Sequence, residues 1–375
     1  MWVGRVERQL QNLVEGLLST RGVQHALLAV QRGRDGWRWI GTAGEMQPGG
    51  PPMQSDTPFF IASISKLFIA TTVLRLHEAG RLDIDAPLVA HLSDVDLTGL
   101  HRLGGVDHTP AITLRQLLAH ASGLPDYLEE RARGGETLID SVVRKGDREW
   151  TLAEVVALVR DTLRPHFPPQ SMSGDRIRIR YSDTNYRLLI AVIEAVSGGS
   201  LEAAFKAEIF DPLGLHWTWL SHPEHPLQRS AATLYFGEAP LRIPLAMRAA
   251  GDLYSTADDL LRFMAALVAG ELFCDAGTLP MMRDERRRFG LPRDMASLRS
   301  PSWPIEYGLG MMRFALPRLF TPLRPMPAVF GHTGSTGTWL FHCPARDLYL
   351  CGTVDQGTAG AVPFRLAPKL LKLLE

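Results

Sequence analysis

Lysine is scarce in this chain, and one of its five lysines stands where a cation is costly. Lys145, Lys206, Lys369 and Lys372 lie elsewhere; Lys66 falls in the run Phe59-Phe60-Ile61-Ala62-Ser63-Ile64-Ser65-Lys66-Leu67-Phe68-Ile69. An ammonium in so apolar a stretch needs a partner or loses its proton. Residues three apart share a helix face, so Lys66 can reach the hydroxyl of Ser63. A serine beside a desolvated amine is an activated nucleophile. Ser63 also falls where the extended run turns into a helix, so its N–H is unpaired at the positive end of the dipole and could hold a developing oxyanion. The spacing alone is a common accident in a chain of this size, so other residues must support it.

Two further clusters could join it. Tyr181-Ser182-Asp183-Thr184-Asn185-Tyr186 opens a second helix, with Asp183 as a candidate N-cap. A tyrosine near a cation can have its pKa lowered and relay protons; the plain alternative is a capped helix with a packed tyrosine. Gly331-His332-Thr333-Gly334-Ser335-Thr336-Gly337 flanks a predicted strand, and its glycines suit an edge that another backbone approaches closely. His332 and Thr333 then offer a donor and a hydroxyl beside a bound group, and the Ser335 N–H a second oxyanion donor. The plain alternative here is a turn before a strand. His120, ahead of Ser122-Gly123, reads as a structural hydrogen-bonder. His216, His222, Glu224 and His225 make a zinc site conceivable, but the prolines around them suit a surface loop and no HExxH is present. No metal and no cofactor is expected. No GxSxG elbow occurs either.

Elements must bring these clusters together. Residues 5–19 have helical periodicity, and His25–Gln31 and Gly36–Ala43 read as a hairpin turning at Arg32-Gly33-Arg34-Asp35. Residues 63–79 form an apolar helix closed by Gly80, and helices are expected near 113–120, 151–162, 184–197, 200–209 and 253–268, the last with Ser255 as N-cap. Ala328–Phe330, Gly337–His342 and Asp347–Val354 read as strands, and Pro363–Leu374 as a closing helix. Strands at both ends and helices between predict an α/β (α+β) chain: one antiparallel sheet built from both termini, helices on its faces, and a mainly helical part inserted. The expected organisation is a single domain over 1–375, with 1–85 and 300–375 forming the sheet part and 86–299 the helical part.

The three clusters in this order resemble the serine β-lactamase and penicillin-binding-protein superfamily, in particular its class C β-lactamase, D,D-peptidase and esterase branch. That family's motifs run SxxK, YxN, then K/H-T-G. Leu114–Pro125 is similar to its LLxHxSGLP segment, Asp211–Leu215 to its PLG turn, Gly251–Thr256 to its GLYST helix entry, and Tyr307–Met311 to its YGLG strand. The resemblance implies a β-lactamase/transpeptidase-like fold. It implies Ser63 as acyl acceptor, Lys66 as its base partner and Tyr181 as proton shuttle. It further implies His332, Thr333 and Gly334 on the substrate-binding strand, and the N–H groups of Ser63 and Ser335 as oxyanion hole. Two departures stand out. Asp183 replaces the usual Asn; an ionised Asp cannot donate to a substrate carbonyl, and it should hold Lys66 charged. His332 replaces the lysine common in class C enzymes and removes a permanent cation. Both point to an esterase- or peptidase-like serine hydrolase rather than an efficient β-lactamase, with a true class C-like β-lactamase as the runner-up among enzymes and a non-catalytic binding or scaffolding protein as the rival from another class.

Bulk properties set limits. Hydrophobic residues make up 45% and charged residues 21% of 375, as in an ordered globular protein. Formal net charge is zero, which gives no case for nucleic acid or an anionic membrane. The expected partner is a small ester, amide or β-lactam. No run approaches the ~18 apolar residues of a membrane span, and the N-terminal charges break any signal-peptide core, so a cytoplasmic location is expected. Cys274, Cys343 and Cys351 read as reduced thiols, although the last two fall on neighbouring strands where a disulfide is geometrically conceivable. Arg283–Arg299 reads as a basic, solvated insertion.

Overall fold

The structure, a computed structural model, describes residues 2–131, 135–174, 177–221, 230–295, 301–319, 321 and 325–375. Its centre is an eight-stranded sheet. The strands run in the spatial order Arg287–Arg288, Glu306–Tyr307, Met312–Phe314, Val329–Gly334, Thr338–Cys343, Leu348–Thr353, His25–Arg32, Arg38–Gly44. Every neighbouring pair is antiparallel. The N-terminal strand pairs directly with a C-terminal one, Leu28 opposite Gly352, as expected of a sheet built from both ends. The sheet reaches past the boundary expected at residue 300, since Arg287–Arg288 is its edge; this part of the basic segment is held by Arg286, Arg288 and Arg313 around Glu306 rather than lying free in solvent.

His25–Arg32 is buried along almost its whole length, because helices cover the sheet there. The N-terminal helix Trp2–Leu17 lies on the hairpin, and helix Ala257–Ala269 lies on strands Thr338–Cys343 and Leu348–Thr353. Helix Ser65–Glu78 is apolar on nearly every side and correspondingly interior, with Ser65 to Leu74 buried without a break. A 3-10 turn, Ala62–Ile64, precedes it and rests against strands Val329–Gly334 and Thr338–Cys343.

Several local expectations are corrected. Leu253–Ser255 is a short strand between Phe59–Phe60 and Trp219–Leu220, not the start of a helix. The helix that follows begins at Ala257 and is capped by Thr256, whose hydroxyl accepts from Asp259 N. Ser255 instead shares a hydrogen bond with the Thr218 hydroxyl. Ser182, not Asp183, occupies the N-cap position of helix Asp183–Ser197. Cys343 lies opposite Leu348 and Cys351 opposite Leu340, so the two cysteines are offset by three residues, ~10 Å along the strands, and remain free thiols. His222, Glu224 and His225 lie outside the described residues; among the described ones no cluster could hold a metal ion.

Gly334 is where sheet and nucleophile turn meet. A methyl group there would stand 2.1 Å from Thr338 Oγ1, 2.8 Å from Ala62 Cβ and 2.9 Å from the Ile61 carbonyl. Gly334→Ala is therefore expected to cost about 1–3 kcal/mol of unfolding free energy and to displace Ser63. Urea denaturation alongside ester turnover checks this; unchanged values in both would refute the close-approach account.

Candidate active site

Ser63 lies in the 3-10 turn and is half-buried, so its hydroxyl is accessible. Ala62, just before it, is held at φ +47°, a left-handed conformation that costs a non-glycine residue about 1 kcal/mol or more. The turn is kept in place from outside. Ile61 N–H donates to the Leu253 carbonyl, Leu253 N–H donates to Ser65 Oγ, and Thr338 Oγ1 donates to the Ile61 carbonyl.

Lys66 is 1% exposed and its ammonium donates to Ser63 Oγ at 3.2 Å. Asp183 Oδ1 lies 2.5 Å from Nζ. The amine also sits over the rings of Tyr181 and Tyr186, at 5.2 and 5.4 Å. Burial alone would lower the Lys66 pKa. The charge of Asp183, helped by Tyr181 and Asp252, overcomes it and holds the amine protonated well above its ordinary range. The carboxylate in place of the usual amide thus does what its chemistry dictates.

Tyr181 packs at the same point, with its Oη buried and making no hydrogen bond of full geometry although Ser63 and Lys66 adjoin it. Its pKa is not lowered as expected. Burial pushes it up, and the nearby Lys66 charge only partly offsets this. The phenol is neutral: a proton donor in its resting state. His120 brackets it. The His120 carbonyl accepts from Arg180 N, its Nδ1 accepts from Ser182 N, and its ring lies 4.4 Å from the Tyr181 ring. This is the structural role expected for His120, and burial beside Lys66 and His332 keeps it neutral.

His332 does not offer a donor to the cleft. The motif HTG lies inside strand Val329–Gly334 rather than beside it, and the His332 side chain is fully buried. Nδ1 donates to the Thr333 carbonyl at 2.7 Å, and Nε2 accepts from Tyr307 Oη at 3.1 Å. Burial, with the Lys66 charge, lowers its pKa to about 3, so it supplies no cation at neutral pH. Thr333 is also buried, whereas Ser335, one residue beyond the strand, is exposed.

Two carboxyls escaped the sequence reading. Asp126 Oδ2 accepts from Asp183 N at 3.2 Å, while Oδ1 accepts from Leu128 N at 2.8 Å. Burial and the neighbouring Asp183 push its pKa well up. Asp252 is also buried, and its pKa is raised to about 7, by burial first and then by Asp183 against the pull of Lys66. The available signal was an acid placed directly before an apolar run, in Leu124-Pro125-Asp126-Tyr127-Leu128 and in Gly251-Asp252-Leu253. A cavity of about 360 Å³ opens on the outer flank of Tyr181 and Asp126, walled by Phe167, Phe289 and Arg180, without reaching Ser63 or Lys66.

The Asp252 shift has a stability consequence. Between the ordinary pKa of 3.8 and about 7, the folded protein binds more protons here than the unfolded chain, so this group's contribution falls as pH rises through that window. Asp252→Asn is expected to raise the melting temperature at pH 8 and change it little at pH 4. An equal effect at both would disprove the assignment.

Residues 10–362 match the family model described as Beta-lactamase. The chain belongs to the beta-lactamase family. Among curated relatives, penicillin-binding protein 4 of Amycolatopsis lactamdurans is 27% identical over 224 residues, covering 57% of this chain and 51% of that protein. The putative penicillin-binding protein PbpX of Bacillus subtilis is likewise matched over only 48% of its length; the chain spans about half of these two relatives. Esterase EstB of Burkholderia gladioli is 28% identical, covering 69% of this chain and 68% of its own. Among solved structures, a D-stereospecific amidohydrolase from Streptomyces sp. superposes with TM-score 0.71 at 27% identity, over 94% of this chain and 95% of that one. The D-amino acid amidase of Ochrobactrum anthropi SV3 shares the fold, with TM-score 0.76 at 22% identity over 99% and 98% of the two chains. Proteins similar to this chain thus include ones named as an esterase, an amidohydrolase and penicillin-binding proteins.

Proposed function

We propose that this beta-lactamase-family protein is a cofactor-free serine hydrolase that cleaves a small ester or amide through an acyl-enzyme on Ser63. The observation that carries the reading is the buried Lys66 ammonium, 3.2 Å from Ser63 Oγ and 2.5 Å from Asp183. A charged amine cannot accept a proton, so the resting state is not yet the reactive one. Substrate entry excludes water and favours transfer of the Lys66 proton to Asp183 across their short contact. The neutral amine then takes the Ser63 proton as Oγ attacks the carbonyl carbon. The Ser63 N–H, with that of Ser335, receives the oxyanion. As the carbonyl re-forms and the leaving bond breaks, Tyr181 gives its proton to the leaving atom and is reprotonated from Lys66. Water repeats the sequence on the acyl-enzyme. Thr333 and Gly334 line the edge along which substrate lies.

This reading favours esters and amides over β-lactams. A β-lactam carries a carboxylate, and neither the neutral His332 nor the ion-paired Lys66 offers it a free cation. Intact mass after exposure to a fluorophosphonate tests the proposal: one adduct is expected on the wild type and none on Ser63→Ala. An adduct that persists in the variant would overturn it.

A further inference from the structure

Tyr181 is placed without a full hydrogen bond of its own. Its Oη makes none of good geometry, and its ring packs on those of His120 and Tyr307. Where the phenol points is therefore set largely by the backbone on either side of it. The turn 126–130 and the proline before it grip that backbone. The Pro125 carbonyl accepts from Ser182 Oγ at 2.9 Å and from Thr184 Oγ1 at 2.6 Å. Asp126 Oδ2 accepts from Asp183 N, and Tyr127 N donates to Thr184 Oγ1 at 3.1 Å.

Glu130 closes this turn and ties it to the residue before Tyr181. Its N–H donates to the Asp126 carbonyl at 3.0 Å, and its Oε1 accepts from Asp126 N at 3.2 Å. The same oxygen accepts from Arg180 Nε and Nη2, both at 3.2 Å. His166 Nε2 lies 2.7 Å from Oε1 and 3.0 Å from Oε2. The Arg180 guanidinium also reaches Asp294, at 3.0 and 3.2 Å. Asp294 is 46% exposed, against 14% for Glu130. A pair open to water holds less firmly, so Glu130 is the stronger of the two anchors. One carboxylate thus joins the segments on which both Tyr181 and Asp183 depend.

We propose that Glu130 is a positioning residue of the proton-transfer step: through Arg180 and the turn 126–130 it holds the Tyr181 phenol where it meets the leaving atom. This rests on the acyl-transfer reading above and deepens it.

The test compares two acetates that share an acyl group. p-Nitrophenolate leaves as a stable anion, whereas benzyl alkoxide needs a proton. The readout is the ratio of kcat/KM for p-nitrophenyl acetate to that for benzyl acetate at pH 7.5. A disturbance passed to Lys66 through Asp126 and Asp183 slows attack on both esters and cancels in the ratio. Tyr181→Phe is expected to widen the ratio by about 10²-fold, the lower end of what a positioned acid supplies. Glu130→Ala should widen it by about tenfold or more, since a displacement of ~1 Å can cost 10²-fold. Glu130→Gln, which keeps an acceptor oxygen, should restore most of the wild-type ratio. In the Tyr181→Phe background, Glu130→Ala should add no further widening. Melting curves check folding. Where Glu130→Ala does not fold, Arg180→Lys, which keeps the charge but not the planar fork, is read in its place with the same expectation. An unchanged ratio in the variant, or further widening in the Tyr181→Phe background, overturns the positioning role and spares the acyl-transfer reading. An unchanged ratio in Tyr181→Phe itself overturns the donor role of Tyr181 and this proposal with it.

Discussion

Ser63→Ala is expected to lower hydrolysis of p-nitrophenyl acetate by about 10⁴-fold or more, the scale seen when a nucleophile that works as part of a unit is removed. Folding should be nearly untouched. Ser63 is half-buried, and its hydroxyl accepts a hydrogen bond from Lys66, which keeps its tighter contact with Asp183. The melting temperature should therefore move by no more than about two degrees. The contrast makes the experiment decisive. A large loss of turnover in a folded variant assigns the chemistry to Ser63, turnover within about tenfold of wild type would remove the serine from the mechanism, and no turnover in the wild type itself would leave the non-catalytic reading as the better one.

Lys66→Met should damage both activity and stability. Methionine matches the length of the lysine stem but leaves the Asp183 carboxylate, 11% exposed, without its counter-ion. Breaking a buried pair from one side costs about 3–5 kcal/mol. Removing the second charge as well, in Lys66→Met/Asp183→Asn, should return most of that stability while leaving turnover absent. The sign with pH follows from the raised Lys66 pKa: the pair's contribution is fully present below the ordinary value of 10.5 and is lost as pH climbs through the folded value. The gap between wild type and Lys66→Met should accordingly hold across neutral pH and close only in strongly alkaline solution. Urea denaturation at several pH values measures it. Equal stability of wild type and single variant at pH 7 would show that the two charges are not coupled.

Much of the site was legible because its spacing is short-range. Ser63 and Lys66 lie one turn apart, and an ammonium in an apolar run already demands a partner. The exchange of amide for carboxylate at Asp183 implied a partner for the amine, and the structure places the two groups 2.5 Å apart. The Tyr181 pKa was misjudged because a nearby cation and burial act in opposite directions, and only the packing shows that burial is the larger. His332 was misjudged for a related reason. A strand alternates its side chains between faces, and pairing with Tyr307 turns this one inward.

The chain by itself singled out Ser63, Lys66, Tyr181 and Asp183, which the fold brings together, and the sharing of one sheet by strands from both ends, since helical spacing, apolar patterning and residue type are local properties. The tertiary structure alone decided that Asp126 packs against Asp183, that Asp252 acts on the Lys66 amine and that Cys343 misses Cys351 by three residues. It also decided that Gly334 must admit the Ala62 methyl group and the Ile61 carbonyl. These depend on register and on distance between segments up to about three hundred positions apart in sequence, and through them on the desolvation that sets each charge; no local pattern encodes either.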